Sequence, residues 1–346
     1  MPRVAVNPPA GPATFEYTIS TPTCPDANAI DSSVPTVIFV HPVYIGRIVW
    51  HPQLSDPKLR RFNLVTFDLR GHGGTDGDIP LHYRRPEAGE DVYSFMKALN
   101  LPPSHIVGIS MGACIALEFT ATHPDMVLSS TMIAPLPLEE PAEVLEGRQE
   151  ILDCWKIAAA DPDNLDQEAL MDALTGSVQL ATNGVKYKVA EAMTQIAVKL
   201  AMKHAAGEKV EQQHTITVKF FQDRKPHPIE VLQRVKTPIS LIHCGADIAY
   251  PIEFAEELHQ RLEKAGLNAR LVSVPGAPHF GSITHYTDVN PILHDFILEQ
   301  SKSSTMPPAP ATVVSPFEEL FAELGCAELG AASDDDDADD DFFISS

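Results

Sequence analysis

The sequence predicts an α/β fold, in which helices cover both faces of a mostly parallel sheet. The first observation is that short runs of apolar residues, typical of strands buried on both faces, alternate with amphipathic helical stretches. The second is a strand–turn–helix pattern with a serine at its apex, in residues 104–123. The third is an interruption of about a hundred residues that holds only helical patterns, too long for a crossover loop.

Each strand is predicted from an apolar or alternating run and from the turn residues that bound it. The predicted strands are Phe15–Ser20, Thr36–Val40, Phe62–Asp68, Ser104–Ile109, Val127–Ala134, Thr237–Cys244 and Arg270–Val274. Helical spacing predicts helices at Glu87–Leu99, Met111–His123, Ile252–Lys264 and Pro291–Gln300. Residues 1–13 are rich in proline, and we expect them to form a loose arm.

The chain divides into four parts. Residues 1–135 and 237–302 are expected to form the two halves of the core, and residues 136–236 a helical cap. The cap is expected to lie over the carboxyl ends of the strands, where ligands bind in such folds. Its predicted helices are Ala142–Ala160, Asp166–Leu180 and Lys186–His204.

Residues 303–346 form an acidic tail. It contains eleven acidic residues and no Lys or Arg, and removing them from the net charge of −22 leaves −11 for the body. We expect a solvated, disordered tail. The alternative is an interaction motif for a protein partner, in which Phe317–Leu329 forms a short amphipathic helix and its aromatic residues dock.

Charge and hydropathy exclude several classes of function. The acidic balance of both body and tail disfavours nucleic acid and anionic membrane surfaces. No stretch approaches the roughly 20 apolar residues of a membrane helix, and the first residues lack the pattern of a signal peptide. With five scattered cysteines, an odd number, the composition fits a reducing compartment, and we expect a cytoplasmic protein.

The strongest chemical signal is Gly108-Ile109-Ser110-Met111-Gly112, between a predicted strand and a predicted helix. Such a sharp turn needs glycines because the backbones crowd there. The helix N-terminus beneath the serine supplies free N–H groups and the positive end of a dipole, which suit a developing oxyanion. Ser110 is therefore the candidate nucleophile.

A nucleophilic serine needs a base, and the base needs a group that orients it. Asp247 directly follows the strand that ends at Cys244, and His279 follows the strand that ends at Val274. Asp247 could instead serve only as a turn former or helix cap. The alternatives for the acid are Glu139 or Glu140, and those for the base are His285 or His294.

An oxyanion needs at least two hydrogen-bond donors. The N–H of Met111 is one by position, and the N–H of Val43, in the loop after Val40, is the expected second. Pro42 has no N–H and can only shape that loop. His41 and His72 are expected to hold loops through hydrogen bonds, and the fourteen histidines predict no metal site.

These motifs together resemble the α/β-hydrolase fold family, in the family's order of nucleophile, acid and base. The resemblance implies an eight-stranded sheet with a helical cap and a triad of Ser110, Asp247 and His279. Many members have His-Gly where this chain has His41-Pro42, which leaves the second oxyanion donor open. The matching segments are Val37–Pro42, Phe67–Gly73, Gly108–Gly112, Gly245–Asp247 and Gly276–His279.

The expected function is a capped serine esterase that cleaves an ester, thioester or lactone of a small hydrophobic acyl substrate and needs no cofactor. The apolar cap residues predict a hydrophobic pocket, and the negative body is expected to disfavour anionic substrates. A serine nucleophile argues against chemistries that use an aspartate. Hydrolysis of a carbon–carbon bond, peroxidase side activity, and a ligand-binding receptor or scaffold with little turnover are the alternatives.

Overall fold

An eight-stranded sheet passes through the centre of the protein. The computed structural model describes residues 1–161, 164–201, 209–301 and 306–326. Its spatial strand order is β1-β2-β4-β3-β5-β6-β7-β8; β1 and β2 run antiparallel to their neighbours and the other pairs are parallel. The strands are β1 (Arg3–Val6), β2 (Ala13–Ser20), β3 (Thr36–Val40), β4 (Asn63–Phe67), β5 (Ser104–Ile109), β6 (Val127–Ile133), β7 (Ile239–Cys244) and β8 (Ala269–Val274).

The α-helices lie between the strands and after the last one. In the described residues they are α1 (His51–Leu54), α2 (Arg85–Ala98), α3 (Met111–Thr122), α4 (Ala142–Ala158), α5 (Gln167–Thr182), α6 (Lys188–Ala201), α7 (Lys209–His214), α8 (Phe220–Gln222), α9 (Ile229–Leu232), α10 (Ile252–Lys264), α11 (Gly281–Thr284), α12 (Tyr286–Gln300) and α13 (Glu318–Glu323). A π-helical stretch, Thr215–Lys219, joins α7 to α8. None of these helices is long and apolar enough to cross a membrane.

The predicted fold class is confirmed, and its central strands are the most apolar ones. Every residue of β3, β4, β5 and β7 is buried, because helices cover both faces of the sheet. The register pairs Val40 with Gly108 and Ile133 with Ile242. The parallel strands therefore end at the same edge, and the loops that follow them lie together.

The first residues differ from their prediction. Residues 1–13 were expected to be loose, but Arg3–Val6 pairs antiparallel with β2, with Val4 opposite Phe15. The short strand half-buries its two valines and leaves its other two residues exposed. Such an edge strand can tolerate flanking prolines, because one side of it needs no partner. It is the eighth strand that the motif resemblance implied.

The segment between β6 and β7 is helical, as its spacing predicted. We refer to residues 136–236 as the inserted region. The predicted helices correspond to α4, α5 and α6, and the bounds of α4 and α5 differ from their predictions by at most two residues. The predicted end of the third helix, His204, lies outside the described residues. Two hydrogen bonds tie the end of α5 to the loops after β7 and β8: Asn183 Nδ2 donates to Ala246 O (2.7 Å), and the Phe280 N–H donates to Ala181 O (2.9 Å).

Part of the predicted tail packs on the core. In the C-terminal segment, residues 306–326, Phe317 and Phe321 are each 1% exposed, and the ring of Phe321 stacks on His51 with centroids 4.2 Å apart. Arg61 Nε donates to Pro307 O (2.7 Å) and Arg60 Nη1 to Val314 O (3.0 Å). The expectation of a solvated tail is therefore wrong for this segment.

The physical reason is that the aromatic face of α13 finds a partner on the protein's own core. The predicted helix Phe317–Leu329 is observed as Glu318–Glu323, with Phe321 directed inward. Residues 327–346, which carry the aspartate run, lie outside the described residues, and their use as a site for a protein partner stays a prediction.

Replacing Phe321 by alanine tests whether this segment packs in solution. We expect Phe321→Ala to lower the free energy of unfolding by about 3 kcal/mol, because a buried aromatic side chain is removed from a filled site. Val314→Ala is the control in the same segment, since Val314 is 55% exposed and should change stability by less than about 0.5 kcal/mol. Denaturant titration measures both. Equal, small effects would show that the segment does not contribute to the fold.

Candidate active site

Ser110 stands at the turn between β5 and α3. Its backbone has φ +54° and ψ −116°, a region that non-glycine residues rarely occupy and that costs of order 1–3 kcal/mol. A Cβ on Gly108 would lie 2.1 Å from the Gly112 carbonyl oxygen, so the strand and the helix can meet only if Gly108 has no side chain. The Ser110 side chain is almost fully buried in the protein but lines a cavity.

The structure brings Ser110, His279 and Asp247 together in one hydrogen-bonded chain. His279 Nε2 lies 2.8 Å from Ser110 Oγ, and His279 Nδ1 lies 2.5 Å from Asp247 Oδ2. Because an ionised carboxylate only accepts hydrogen bonds, Nδ1 carries the proton and donates it to Asp247. The neutral ring then presents its Nε2 lone pair to the Ser110 hydroxyl.

Asp247 also shapes its own turn. Its Oδ1 accepts hydrogen bonds from the N–H groups of Ala249 (3.1 Å) and Tyr250 (3.0 Å), while Oδ2 faces the imidazole. Asp247 therefore makes the contacts of a turn former and also a hydrogen bond to the predicted base. Asp247 does not cap α10, whose N-cap position is Pro251.

The alternative residues have other partners. Glu140 is buried between Arg148 and Arg224, and Glu139 pairs with Lys225 at 3.1 Å. On the histidine side, His285 Nδ1 lies 2.9 Å from the hydroxyl of Thr284, and His294 Nδ1 lies 2.9 Å from Asp295 Oδ1. In the described residues neither alternative acid nor alternative base reaches Ser110.

The loop after β3 lies directly against the start of α3. A Cβ on Gly112 would lie 2.0 Å from the Val40 carbonyl oxygen and 2.8 Å from that of His41, so this approach requires glycine. The Met111 N–H belongs to the first turn of α3, where backbone N–H groups have no partner within the helix. The Ser110 N–H is occupied by the Ile133 carbonyl oxygen at 3.0 Å. The segments with the two predicted oxyanion donors, Met111 and Val43, are therefore neighbours.

His41 holds this loop in place, as predicted. Its Nδ1–H donates to the Pro42 carbonyl oxygen at 2.6 Å, and its Nε2 accepts from the Leu69 N–H at 2.8 Å. Burial lowers the pKa of His41, which favours the neutral ring that these two bonds require. In a planar trans peptide the N–H points opposite to the C=O, so His41 also fixes the direction of the Val43 N–H.

His72 packs against His41 from the loop that follows β4. Its ring packs against that of His41, with centroids 4.8 Å apart, and its Nδ1 lies 2.9 Å from the Arg70 carbonyl oxygen. Both histidines thus hold loops at this edge of the sheet. In the described part of the chain, no group of three or more His, Cys, Asp or Glu side chains is arranged to hold a metal ion.

A cavity of about 1030 Å³ opens above Ser110 and His279. Most of its wall comes from α4, α5 and α6 of the inserted region, and Leu324–Cys326 of the C-terminal segment close part of it. The wall is largely apolar, with side chains that include Leu152, Trp155, Met171, Leu174 and Val178. Ligand sites are typically concave and apolar with few polar groups, and this cavity fits that description.

Sequence reasoning missed one group of polar residues next to the site. Tyr250 packs against His279 with ring centroids 5.1 Å apart, and its hydroxyl donates to Glu140 Oε1 (2.7 Å). Arg148 donates to the same hydroxyl oxygen at 2.9 Å and to Glu140 at 2.8 Å. Burial would raise the pKa of Glu140, but Arg148 and Arg224 outweigh it and hold that pKa below its usual value.

One sequence pattern could have identified Arg148 as a buried charge near the site. Val144, Ile151, Leu152 and Trp155 form an apolar stripe at helical spacing, and Arg148 is the charged residue within that stripe. A charge on the buried face of a helix predicts a buried ion pair or a ligand contact. Tyr250 carries no comparable signal.

Known proteins resemble the chain in both sequence and structure. A protein of Synechocystis sp. described as a candidate non-heme chloroperoxidase is 24% identical over 265 residues, which cover 75% of this chain and 90% of that protein. The 3-oxoadipate enol-lactonase 1 of Acinetobacter baylyi is 34% identical over 85 residues, or 25% of this chain and 31% of the enzyme.

A carboxylesterase structure from Nitrososphaera gargenis matches with a TM-score of 0.66 at 17% identity, over 87% of this chain and 99% of that one. At this identity the match shows the fold alone. The family model for the alpha/beta hydrolase fold matches residues 35–286, which contain Ser110, Asp247 and His279. Because that match spans most of its length, the chain belongs to the alpha/beta hydrolase fold family.

Proposed function

We propose that the protein is a serine hydrolase that cleaves an ester, thioester or lactone with a hydrophobic acyl portion through a covalent acyl-enzyme. The single observation that carries this proposal is the chain of hydrogen bonds from Asp247 through His279 to Ser110 at the floor of an apolar cavity. The 3-oxoadipate enol-lactonase relative agrees with this class of chemistry.

In the first step, Ser110 Oγ attacks the scissile carbonyl carbon while His279 Nε2 accepts the hydroxyl proton. Asp247 stabilises the imidazolium that forms. The carbonyl oxygen becomes an oxyanion, which the N–H groups of Met111 and Val43 stabilise by hydrogen bonds. When the tetrahedral intermediate collapses, His279 returns the proton to the leaving alcohol, thiol or lactone oxygen, and Ser110 retains the acyl group.

In the second step, His279 accepts a proton from water, which attacks the acyl-enzyme at the same carbonyl carbon. The oxyanion again forms between Met111 and Val43, and its collapse releases the acid and restores the Ser110 hydroxyl. Where the apolar wall excludes bulk water from the cavity, these electrostatic interactions become stronger.

A second candidate is a receptor or scaffold that binds ligand on the same fold with little turnover. The complete hydrogen-bonded chain favours catalysis, since a binding protein has no need of an activated serine. Labelling with a fluorophosphonate probe separates the two candidates: a catalytic serine reacts covalently and a binding protein stays unlabelled. Hydrolysis of a carbon–carbon bond would use the same residues and is tested with its own substrates.

Replacing Ser110 tests the nucleophile. We expect Ser110→Ala to lower the rate of 4-nitrophenyl ester hydrolysis by at least about a hundredfold and to abolish probe labelling, because no acyl-enzyme can form. The control is Ser104→Ala, which removes a buried hydroxyl at the other end of β5. A Ser110→Ala variant that folds and keeps its labelling and its activity would overturn the proposal.

Replacing Asp247 tests the orienting acid. Asp247→Asn should lower kcat on the order of 10⁴-fold, because an amide cannot favour the tautomer in which Nδ1 carries the proton. Glu139→Gln is the matched control, since Glu139 is an exposed carboxylate paired with Lys225. Steady-state kinetics at neutral pH measure both variants. A normal rate in Asp247→Asn would assign the role to another carboxylate.

A series of linear esters with one leaving group tests the apolar cavity. We expect kcat/KM to rise over the first several carbons by up to about fourfold per methylene, which corresponds to about 0.8 kcal/mol for each CH₂ buried. Part of the gain should appear in kcat, because binding energy remote from the carbonyl can be used in the transition state. A flat series would contradict an acyl site in this cavity.

A further inference from the structure

A charged side chain of the inserted region is buried beside the reacting groups. Arg148 lies on α4, and its side chain is 1% exposed. Leu152, one helical turn further along α4, lines the cavity above Ser110. Burial of a guanidinium group is strongly unfavourable unless other groups match its charge and its hydrogen bonds. The partners of Arg148 should therefore account for its position in the fold.

Among the described residues, three polar groups contact the Arg148 guanidinium. Its Nε donates to Glu140 Oε1 at 2.8 Å, and its Nη2 donates to the Tyr250 hydroxyl oxygen at 2.9 Å. The third group is the hydroxyl of Tyr44: burial raises its pKa, and the charge of Arg148 and a hydrogen bond from Arg148 oppose that rise. This third contact is the loosest, because it falls short of normal hydrogen-bond geometry. One guanidinium thus contacts the loops that follow β3, β6 and β7.

Tyr250 connects Arg148 to the acid and the base. Its backbone N–H donates to Asp247 Oδ1 at 3.0 Å, and its ring packs against the imidazole of His279 with centroids 5.1 Å apart. Its hydroxyl donates to Glu140 at 2.7 Å and accepts from Arg148. Burial raises the pKa of Tyr250, so the phenol keeps the proton that it donates. Because the ring is fixed at its hydroxyl end, it limits how far the neighbouring imidazole can turn.

Tyr44 connects Arg148 to the oxyanion loop. It directly follows Val43, the predicted second oxyanion donor, and its φ of +73° is uncommon for a residue with a side chain. Such a backbone conformation persists only where surrounding contacts hold the residue in place. The buried Tyr44 hydroxyl beside Arg148 supplies one of these contacts. Arg148 therefore contacts the neighbour of an oxyanion donor as well as the neighbour of the base.

We propose that Arg148 is a positioning residue, which holds the acid and the base through Tyr250 and the oxyanion loop through Tyr44. The proposal rests on the proposed hydrolase function and adds to it a residue outside the triad. The inserted region then has two functions: its apolar side chains bind the acyl group, and Arg148 keeps the reacting groups in register. A misplacement of about 1 Å can lower a rate on the order of a hundredfold, so such a residue affects the rate without contact to the reacting atoms.

Arg224 provides a matched control for Arg148. Its Nη2 donates to Glu140 Oε2 at 2.8 Å, so the carboxylate of Glu140 faces two guanidinium groups. Removal of either guanidinium leaves Glu140 paired with the other, and neither variant creates an unpaired buried carboxylate. Arg224 is also buried, but it does not line the cavity. The variants Arg148→Gln and Arg224→Gln therefore separate the contacts to the two tyrosines from the pairing of Glu140.

Steady-state kinetics with 4-nitrophenyl hexanoate test the proposal. Arg148→Gln should lower kcat by about tenfold or more and change KM by less than about twofold, because the acyl site is kept while the reacting groups are misplaced. Arg224→Gln should lower the free energy of unfolding and leave kcat and KM unchanged within error. Arg148→Lys keeps the charge but lacks the planar fork of donors, so it should recover stability and only part of kcat.

A double-mutant cycle identifies the residue through which Arg148 acts. Tyr250→Phe keeps the ring against His279 and removes the hydroxyl that Arg148 contacts. Arg148→Gln should therefore lower kcat less in the Tyr250→Phe background than in the wild type, because the effects of residues in contact are not additive. The same cycle with Tyr44→Phe tests the oxyanion loop. If Arg148→Gln fails to fold, the two tyrosine variants decide, and a normal kcat in both would overturn the proposal.

The two proposals fail in different ways. Ester hydrolysis that depends on Ser110, with a normal kcat in folded Arg148→Gln, would refute the positioning role and leave the hydrolase. Equal losses of kcat in Arg148→Gln and Arg224→Gln would also refute that role, because both losses would then follow the damage to the Glu140 cluster.

If the wild type cleaves none of the esters, the hydrolase proposal fails, and a readout that needs no activity tests the positioning role. The Nδ1 proton of His279 lies in a short hydrogen bond to Asp247 (2.5 Å), and a proton in such a bond gives a strongly downfield NMR signal. Arg148→Gln should shift or broaden this signal, and Arg224→Gln should leave it in place. An unchanged signal in Arg148→Gln would refute the role.

Discussion

The close approach of α3 to the end of β3 is the constraint on which the site depends. Gly112 has no room for a Cβ because the carbonyl oxygens of Val40 and His41 occupy that space, and Ser110 accepts a strained backbone at the same turn. This packing sets the serine hydroxyl above the first turn of the helix and brings the loop with Val43 beside it. Any side chain at position 112 would separate the loop after β3 from the start of α3.

The inserted region forms most of the cavity wall, and it is hydrogen-bonded to the loops that carry Asp247 and His279. The end of α5 is bonded to the backbone beside Asp247 through Asn183, and Ala181 accepts a hydrogen bond from Phe280, next to His279. Movement of these helices would therefore displace the residues of the hydrogen-bonded chain as well as the cavity wall. The cavity wall and the hydrogen-bonded chain of Asp247, His279 and Ser110 are therefore connected through these contacts.

For the C-terminal segment, composition and residue spacing predict a helix but not what the helix packs against. Acidic residues and prolines indicated a change in composition after the predicted core, and the apolar spacing of Phe317, Leu320, Phe321 and Leu324 indicated a helix. The same spacing could not say what would cover the aromatic face. The structure places it on the core beside His51, and the following residues reach the cavity wall. A segment outside the family match thus contributes to the candidate binding site.

From the sequence alone we could predict the α/β class, nearly all strands, the Gly108–Gly112 turn and a candidate triad of Ser110, Asp247 and His279, which the structure brings together. These depend on local periodicity and on the order of short motifs, which are read within a few residues. The pairing of β1, the packing of the C-terminal segment and the cluster of Arg148, Glu140 and Tyr250 became apparent only from the three-dimensional arrangement. Arg148 and Tyr250 are 102 residues apart in the chain, and a local pattern shows that a face will be buried but not which distant residue will meet it.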